Sequence, residues 1–145
     1  MRKSLGNNTA VVQAWAKGSQ PEGHSGSLSF IGEDLYSYQT IIGRKVNGMT
    51  VLSAVKYSTT TARHISEAYS ASYNIVFVDY PGDTPYENKY YASKRIDQFL
   101  IKARKARQLK DTHIEAAHKV ARDFNRYAKA LGEGDRGFNL ADIKL

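Results

Sequence analysis

Cysteine is absent from this chain of 145 residues, which excludes disulfide bonds and thiolate metal sites. The absence suits a reducing cytosol, where we expect the protein to act. Long apolar runs are also absent, because no stretch approaches 18 consecutive apolar residues, so we expect no membrane-spanning helix. Residues 1–6 start basic but have no apolar run behind them, so we expect no signal peptide.

Motifs of common enzyme classes are missing as well. The chain has no P-loop, no G-x-S-x-G and no H-E-x-x-H, and its 14 acidic residues show no spacing typical of metal ligands. We therefore expect no enzyme, no metal and no cofactor. Four histidines, with Tyr36 or Tyr38 as partners, leave one enzymatic alternative, a metal-free enzyme acting on phosphoesters. That alternative predicts that His64→Ala abolishes turnover while leaving the fold intact.

What is present is an ordinary globular composition with an uneven charge. Hydrophobic residues make up 41% and charged residues 24% of a length that fits a single domain, here 1–145. The net charge is +7. Residues 89–110 hold eight basic residues and one acidic residue, so the net charge of this one segment equals that of the whole chain. Such a concentration indicates a charged patch.

The first part of the chain, residues 8–80, is predicted to be rich in β-structure. A short helix over 8–17 precedes a loop over 18–26, which has many helix- and strand-breaking residues. A β-meander is predicted over about 27–57, with Asn47-Gly48 as a turn. Its second strand runs from Leu35 to Ile42, which would place Tyr36 and Tyr38 on one face. Another strand is predicted near 74–80.

Residues 86–131 are predicted to form two longer helices, so the fold class is α+β, with the meander packed against helices. The apolar spacing predicts helices over about 86–109 and 112–131. Thr112 and Glu115 match a capping box, and Gly132 matches a C-terminal cap. A short apolar tail follows over 137–145.

The first helix of this pair has a basic face, which is the first candidate site. At 100° per residue, its basic residues cluster opposite the buried stripe, with tyrosines just before them that could stack on bases. The residues are Lys94, Arg95, Lys102, Arg104, Lys105, Tyr90 and Tyr91. Several cations in a row can neutralise phosphates, which favours binding of RNA or DNA. The alternative is a solvated face that keeps the protein soluble.

A second candidate site is the run of hydroxyl residues before the predicted helix that ends near Ala71. The start of a helix offers unpaired N–H groups that bind anions. Thr60, Thr61, Arg63 and His64 would complete a site for a phosphate or carboxylate. The alternative is simple helix capping.

The tail is a third candidate, because a short apolar segment must pack on something. Phe138, Leu140, Ile143 and Leu145 could enter a groove of another protein or of a second copy. The alternative, which we favour, is that the tail packs on the chain's own core.

Part of the sequence resembles a family of small, uncharacterised proteins of tailed bacteriophages. About a third of the chain carries the resemblance, from Trp15 to His64. The matching residues are Trp15, Gly18, Ser27-Leu28-Ser29, Gly32, Leu35-Tyr36-Ser37-Tyr38, Thr40, Ile42, Tyr57-Ser58, Thr60-Thr61 and Arg63-His64. The resemblance implies a phage or prophage origin and brings no established activity, so it assigns no catalytic residue.

These observations lead to one expected function and two alternatives. We expect a phage accessory protein that acts in the cytoplasm of the infected bacterial host and binds nucleic acid, or a nucleoprotein complex, through the basic helix face. The first alternative is an anti-defence or host-takeover inhibitor, similar to an anti-CRISPR protein, that binds a host protein complex. The second is the phosphoester-acting enzyme. Steep salt dependence favours the first function, and tight binding to one host protein favours the inhibitor.

Overall fold

The structure, a computed structural model, describes residues 4–145 and has an α+β fold, as the sequence predicts. It contains six strands: β1 (Glu22–Ser25), β2 (Leu28–Ile31), β3 (Asp34–Ser37), β4 (Thr40–Val46), β5 (Met49–Ser53) and β6 (Ile75–Val78). It contains four helices: α1 (Asn8–Lys17), α2 (Thr59–Ala71), α3 (Pro85–Lys105) and α4 (Lys110–Ala130). Two 3-10 turns follow, Gly134–Arg136 and Leu140–Asp142.

The chain divides into two compact units. The first runs to Val76 and includes Tyr80–Gly82, and the second comprises Phe77–Asp79 and Asp83–Leu145. The first unit therefore holds the predicted meander with α1 and α2, and the second unit holds α3, α4 and the tail.

In the first unit the sheet follows the order of the chain, from β1 to β5 and then the first half of β6. Neighbouring strands from β1 to β5 pair antiparallel, as the meander prediction requires. Asn47 and Gly48 both have positive φ in the β4–β5 turn, which confirms the turn predicted there. α2 connects β5 to β6.

Two details of the sheet differ from the sequence prediction. The segment expected to be a loop contains β1, which pairs with β2 from Glu22↔Ile31 to Ser25↔Leu28. The second predicted strand is in fact two strands, because the chain turns between Ser37 and Thr40. Tyr38 lies in that turn with a left-handed φ of 57°, so it does not share a strand face with Tyr36.

Trp15 anchors the core of the first unit. It is 1% exposed, and its Nε1 donates a hydrogen bond to the carbonyl of Glu33 at 2.9 Å. Gly43 lies beneath the indole, where an added Cβ would come within 3.0 Å of the ring. α1 reaches this position because the Asn7 side chain caps its first turn and Gly18 ends it in the left-handed conformation.

The second unit is a helical hairpin with the tail packed on it. α3 and α4 contribute Ile96, Leu100, Ala117 and Ala121 to one apolar cluster, which also includes Ile143 of the tail. Alanines on α4 permit close approach of the helices, while the larger side chains of α3 fill the space between them.

The start of α4 also differs from the prediction. The helix begins at Lys110, after Leu109 in the left-handed conformation, and no side chain caps it. The prediction of a capping box at Thr112 and Glu115 is therefore wrong, because both residues already lie inside the helix. The predicted end holds, since Gly132 has a φ of 76° and the Glu133 N–H donates to the carbonyl of Ala128 at 2.8 Å.

The single-domain prediction can be tested by unfolding. Trp15, the chain's one tryptophan, reports on the first unit, whereas far-ultraviolet circular dichroism includes the long helices of the second. If residues 1–145 form one cooperative domain, we expect the two signals to change together in urea, with the same midpoint and slope. Two separated transitions would contradict a single domain.

Candidate nucleic-acid interface

The first turn of α3 is fixed by a capping box that sequence analysis did not identify. The Glu87 N–H donates to Thr84 Oγ1 at 3.2 Å, and the Thr84 N–H donates to Glu87 Oε1 at 3.1 Å. Pro85 supplies the first helical residue. These hydrogen bonds from Thr84 lower the pKa of the Glu87 carboxyl, so Glu87 is ionised at neutral pH.

The rotation of α3 is set by a buried polar contact with α4. Asn88 is fully buried, and its Nδ2 donates to the Tyr127 hydroxyl at 3.1 Å. That hydroxyl donates in turn to the carbonyl of Asp83 at 2.8 Å. The buried stripe of α3 continues along the same side of the helix through Ala92, Ile96, Leu100 and Ala103.

Burial of this stripe leaves the predicted cations on the outside. Lys94, Lys102, Arg104 and Lys105 are exposed. Arg107 and Lys110, in and after the short connection to α4, are exposed too. We call these six residues the basic face. Within residues 4–145, none of the six takes part in an ion pair.

Arg95 behaves differently from the other predicted cations. Its Nη2 lies 3.0 Å from Asp79 Oδ2, and its Nε donates to the other carboxylate oxygen at 3.3 Å. The side chains are only 29% and 15% exposed. Arg95 lies about 100° around the helix from Lys94, at the border of the buried stripe, which explains why its charge is used inside the unit.

Two of the exposed lysines lie over aromatic rings. Lys94 Nζ is 4.7 Å from the centroid of the Tyr90 ring, and Lys102 Nζ is 5.5 Å from that of Phe99. Hydrogen bonding to Tyr90 raises the pKa of the Lys94 ammonium, which therefore stays charged at neutral pH. Each of these two lysines thus lies against an aromatic ring of its own helix, Tyr90 at the surface and Phe99 at the edge of the α3–α4 cluster.

A groove opens beside the first turns of α3. It has a volume of about 470 Å³ and is lined by Tyr86, Glu87, Lys89, Tyr90, Tyr91, Ser93 and Arg136. We call it the tyrosine groove. Tyr86 and Tyr90 are 70% and 57% exposed, and the Arg136 guanidinium lies 5.3 Å from the centroid of the Tyr86 ring. Arg136 comes from the 3-10 turn after α4, so no local sequence pattern could have placed it here.

The second predicted site has only part of its residues at the surface. Ser58 caps α2 by accepting a hydrogen bond from the Thr61 N–H at 3.3 Å. Thr61 and His64 face inward, 5% and 2% exposed. Ser37 Oγ lies 2.9 Å from Thr61 Oγ1 and 2.7 Å from His64 Nδ1. Arg63 is exposed and Thr60 half-buried, so the structure does not present the four predicted residues together to an anion.

The tail packs on the second unit. Phe138 and Leu140 are partly buried against the α3–α4 cluster, and Ile143 is 7% exposed. The Asn125 side chain pairs with the backbone of Phe138 at 2.6 and 2.9 Å. Of the four residues predicted to reach a protein partner, Leu145 alone is exposed.

The described residues were also compared with the requirements of a metal site and of a membrane-spanning helix. Among residues 4–145, no three His, Cys, Asp or Glu side chains are grouped so that they could hold a metal ion. No helix within the same residues has the length and apolar character needed to cross a membrane.

Comparison with known protein families gives a match to part of the chain. The model of a family of unknown function, DUF8033, matches residues 2–75. This is half of the chain, and the match ends at the first residue of β6. No curated protein and no solved structure matches the chain. The basic face and the tyrosine groove lie outside the matched residues.

The buried His64 predicts a pH dependence of stability. Burial lowers the pKa of its imidazole; the Glu67 carboxylate partly offsets this effect, and Arg63 adds to it. The unfolded chain therefore takes up this proton at a higher pH than the folded chain does. The stability due to neutral His64 is fully present above the unfolded pKa of about 6.5 and is lost as pH falls towards the folded pKa.

Urea unfolding between about pH 7.5 and pH 5 measures this loss. We expect His64→Asn, which keeps a polar atom near the Nδ1 position, to lose less stability than wild type over this range. The matched control is Gln13→Asn, which replaces an exposed, uncharged side chain of the first unit, leaves every histidine in place and should keep the wild-type dependence on pH. Equal pH dependence of wild type and His64→Asn would contradict the assignment.

Proposed function

The chain belongs to the DUF8033 family of unknown function, and we propose that it is a phage accessory protein that binds nucleic acid, or a nucleoprotein complex, through the basic face. Its resemblance to small proteins of tailed bacteriophages supports a phage origin and action in the cytoplasm of an infected bacterial host. The observation that carries the binding proposal is the row of exposed cations, from Lys94 to Lys110, on one side of a helical hairpin.

The surroundings of these cations support a polyanion as partner. Few acidic side chains lie near these cations: Asp97 and Asp111 are exposed and form no ion pair among residues 4–145, and two others are engaged elsewhere. Glu87 is held by Thr84, and Asp79 is paired with Arg95. Six cations against two exposed carboxylates leave this surface with a net positive charge for phosphates, whose binding releases condensed counterions.

The inhibitor remains the second candidate, and one observation favours it. Exposed tyrosines beside an arginine, here Tyr86, Tyr90 and Arg136, are residue types that often contribute most to protein–protein binding. In that function the same surface would bind one host protein, with an affinity that depends more on the aromatic contacts than on salt.

Charge reversal on the basic face tests the proposal. We choose Lys102→Glu/Arg104→Glu/Lys105→Glu and leave Arg95 in place, because Arg95 supports the fold through Asp79. Binding of labelled RNA and DNA is measured by fluorescence anisotropy at several salt concentrations. We expect wild type to bind with an affinity that falls as salt rises, and the variant to bind more weakly. The slope of log K against log salt should shrink by about 2 for a single strand.

The matched control is Lys17→Glu/Lys56→Glu/Lys144→Glu, which replaces three exposed lysines elsewhere. Each replacement exchanges a positive for a negative charge, so both triple variants carry +1 in place of +7. We expect the control to retain most of the binding and the wild-type slope. Equal loss in both variants would show that net charge alone is responsible. No binding by wild type at low salt would refute the proposal and favour a search for a protein partner.

A further inference from the structure

We propose that the tyrosine groove holds an unstacked base of a single-stranded nucleic acid whose phosphates lie along the basic face. This inference rests on the function proposed above and specifies its ligand. It depends on three observations: the exposure of the tyrosines, the balance of charge in the groove, and the position of the groove at one end of the basic face.

The tyrosines of the groove are placed for stacking. Tyr86 and Tyr90 are one helical turn apart on α3, and more than half of each side chain is exposed. Tyr91 adds a third ring, whose centroid is 5.5 Å from that of Tyr90 in an edge-on arrangement. Several large rings together on a surface mark a binding site more often than a single exposed ring does. Every base has a face that can stack on such rings.

The charges lining the groove are largely compensated. Lys89 and Arg136 are positive, but Arg136 Nε is 2.5 Å from Glu133 Oε1, and the ionised Glu87 also lines the groove. A phosphate would meet the Glu87 carboxylate here, whereas a base offers both donors and acceptors to these side chains. The groove therefore suits a base, and the exposed cations further along α3, with Asp97 as the one acidic residue among them, suit the phosphates.

The volume of the groove and the length of the basic face are suited to a base in the groove and phosphates along the cations. About 470 Å³ lies within the range of small-molecule sites, roughly 300–1,000 Å³. The basic face begins one turn after Tyr90, at Lys94, and continues to Lys105, about 22 Å along the helix axis from Tyr90 at 1.5 Å per residue. A strand with a base in the groove could thus continue along the cations for several nucleotides.

This geometry favours a single strand over a duplex. The faces of duplex bases are covered by their neighbours, and turning one base out costs a few kcal/mol. A single strand presents its bases at little cost. We therefore expect the groove to add affinity for single strands and to add little for duplexes.

The test compares Tyr86→Ala/Tyr90→Ala with wild type on four ligands at low salt. The ligands are a labelled oligothymidylate, an oligouridylate, a strand of abasic sites with the same number of phosphates, and a duplex. Tyr86→Phe/Tyr90→Phe keeps the rings, and Tyr73→Ala removes a tyrosine that is 87% exposed in the first unit. Circular dichroism checks that each variant is folded.

We expect the Ala variant to lose about fivefold to more than a hundredfold in affinity for the single strands per stacked base. Its affinity for the duplex and for the abasic strand should change little, and the salt slope should remain. The Phe variant and Tyr73→Ala should bind as wild type does. Wild type should bind the abasic strand about as weakly as the Ala variant binds the normal strand.

Two results would overturn the inference in distinguishable ways. If wild type binds nucleic acid in a salt-dependent manner but the Ala variant and the abasic strand show no loss, the groove is not a base site, and the proposed function stands. If wild type binds none of the four ligands at low salt, the proposed function fails and the inference fails with it.

Discussion

The second unit depends on one buried hydrogen-bonded contact, that of Asn88 with Tyr127 and of Tyr127 with the carbonyl of Asp83. An unpaired amide at a fully buried position would cost about 1–3 kcal/mol, so this contact disfavours other rotations of α3. Successive residues of an α-helix point about 100° apart around its axis, so the direction of one side chain determines the directions of all the others. Fixing Asn88 inside therefore also fixes Lys94 and Lys105 outside, and it holds the exposed Tyr86 and Tyr90 at the groove.

The first unit contains a comparable buried network, and its residues lie within the part of the chain that the DUF8033 model matches. Ser37, Thr61 and His64 join β3 to α2, while Trp15 anchors α1 over Gly43. In this chain Trp15, Thr61 and His64 are buried, so they stabilise the first unit and do not form a surface site. The DUF8033 match ends at residue 75, before the proposed interface begins. Membership in the family therefore bears on the first unit, and the binding proposal stands on the second unit alone.

Sequence patterns predicted the features that arise from local spacing. The α1 bounds, the Asn47-Gly48 turn and the long helices follow from apolar periodicity and turn residues, as does the exposed position of most basic residues. Contacts between residues that are distant in the sequence could not be predicted from such patterns. β1 has few β-forming residues and exists because β2 pairs with it, and Arg95 turns to Asp79, 16 residues away. The Arg136 contribution to the groove comes from 50 residues beyond Tyr86, with no periodic pattern linking them.

Some cations of the basic face also stabilise α3 itself, which is a reason for their position that does not involve binding. This reason applies to only part of the face. Lys102, Arg104 and Lys105 occupy the last turn, where positive charge interacts favourably with the helix dipole, by about 0.3–1 kcal/mol each. Arg107 lies beyond the helix and gains little from it. Lys110 is the first residue of α4, where the dipole repels a positive charge by a similar amount. Asp111, the next residue, supplies the acidic side chain that this helix start favours, so helix stability accounts for Asp111 and not for Lys110. The cations thus continue from the end of α3 across the connection to the start of α4, and the proposed binding of an extended polyanion gives a reason for this placement that helix stability does not.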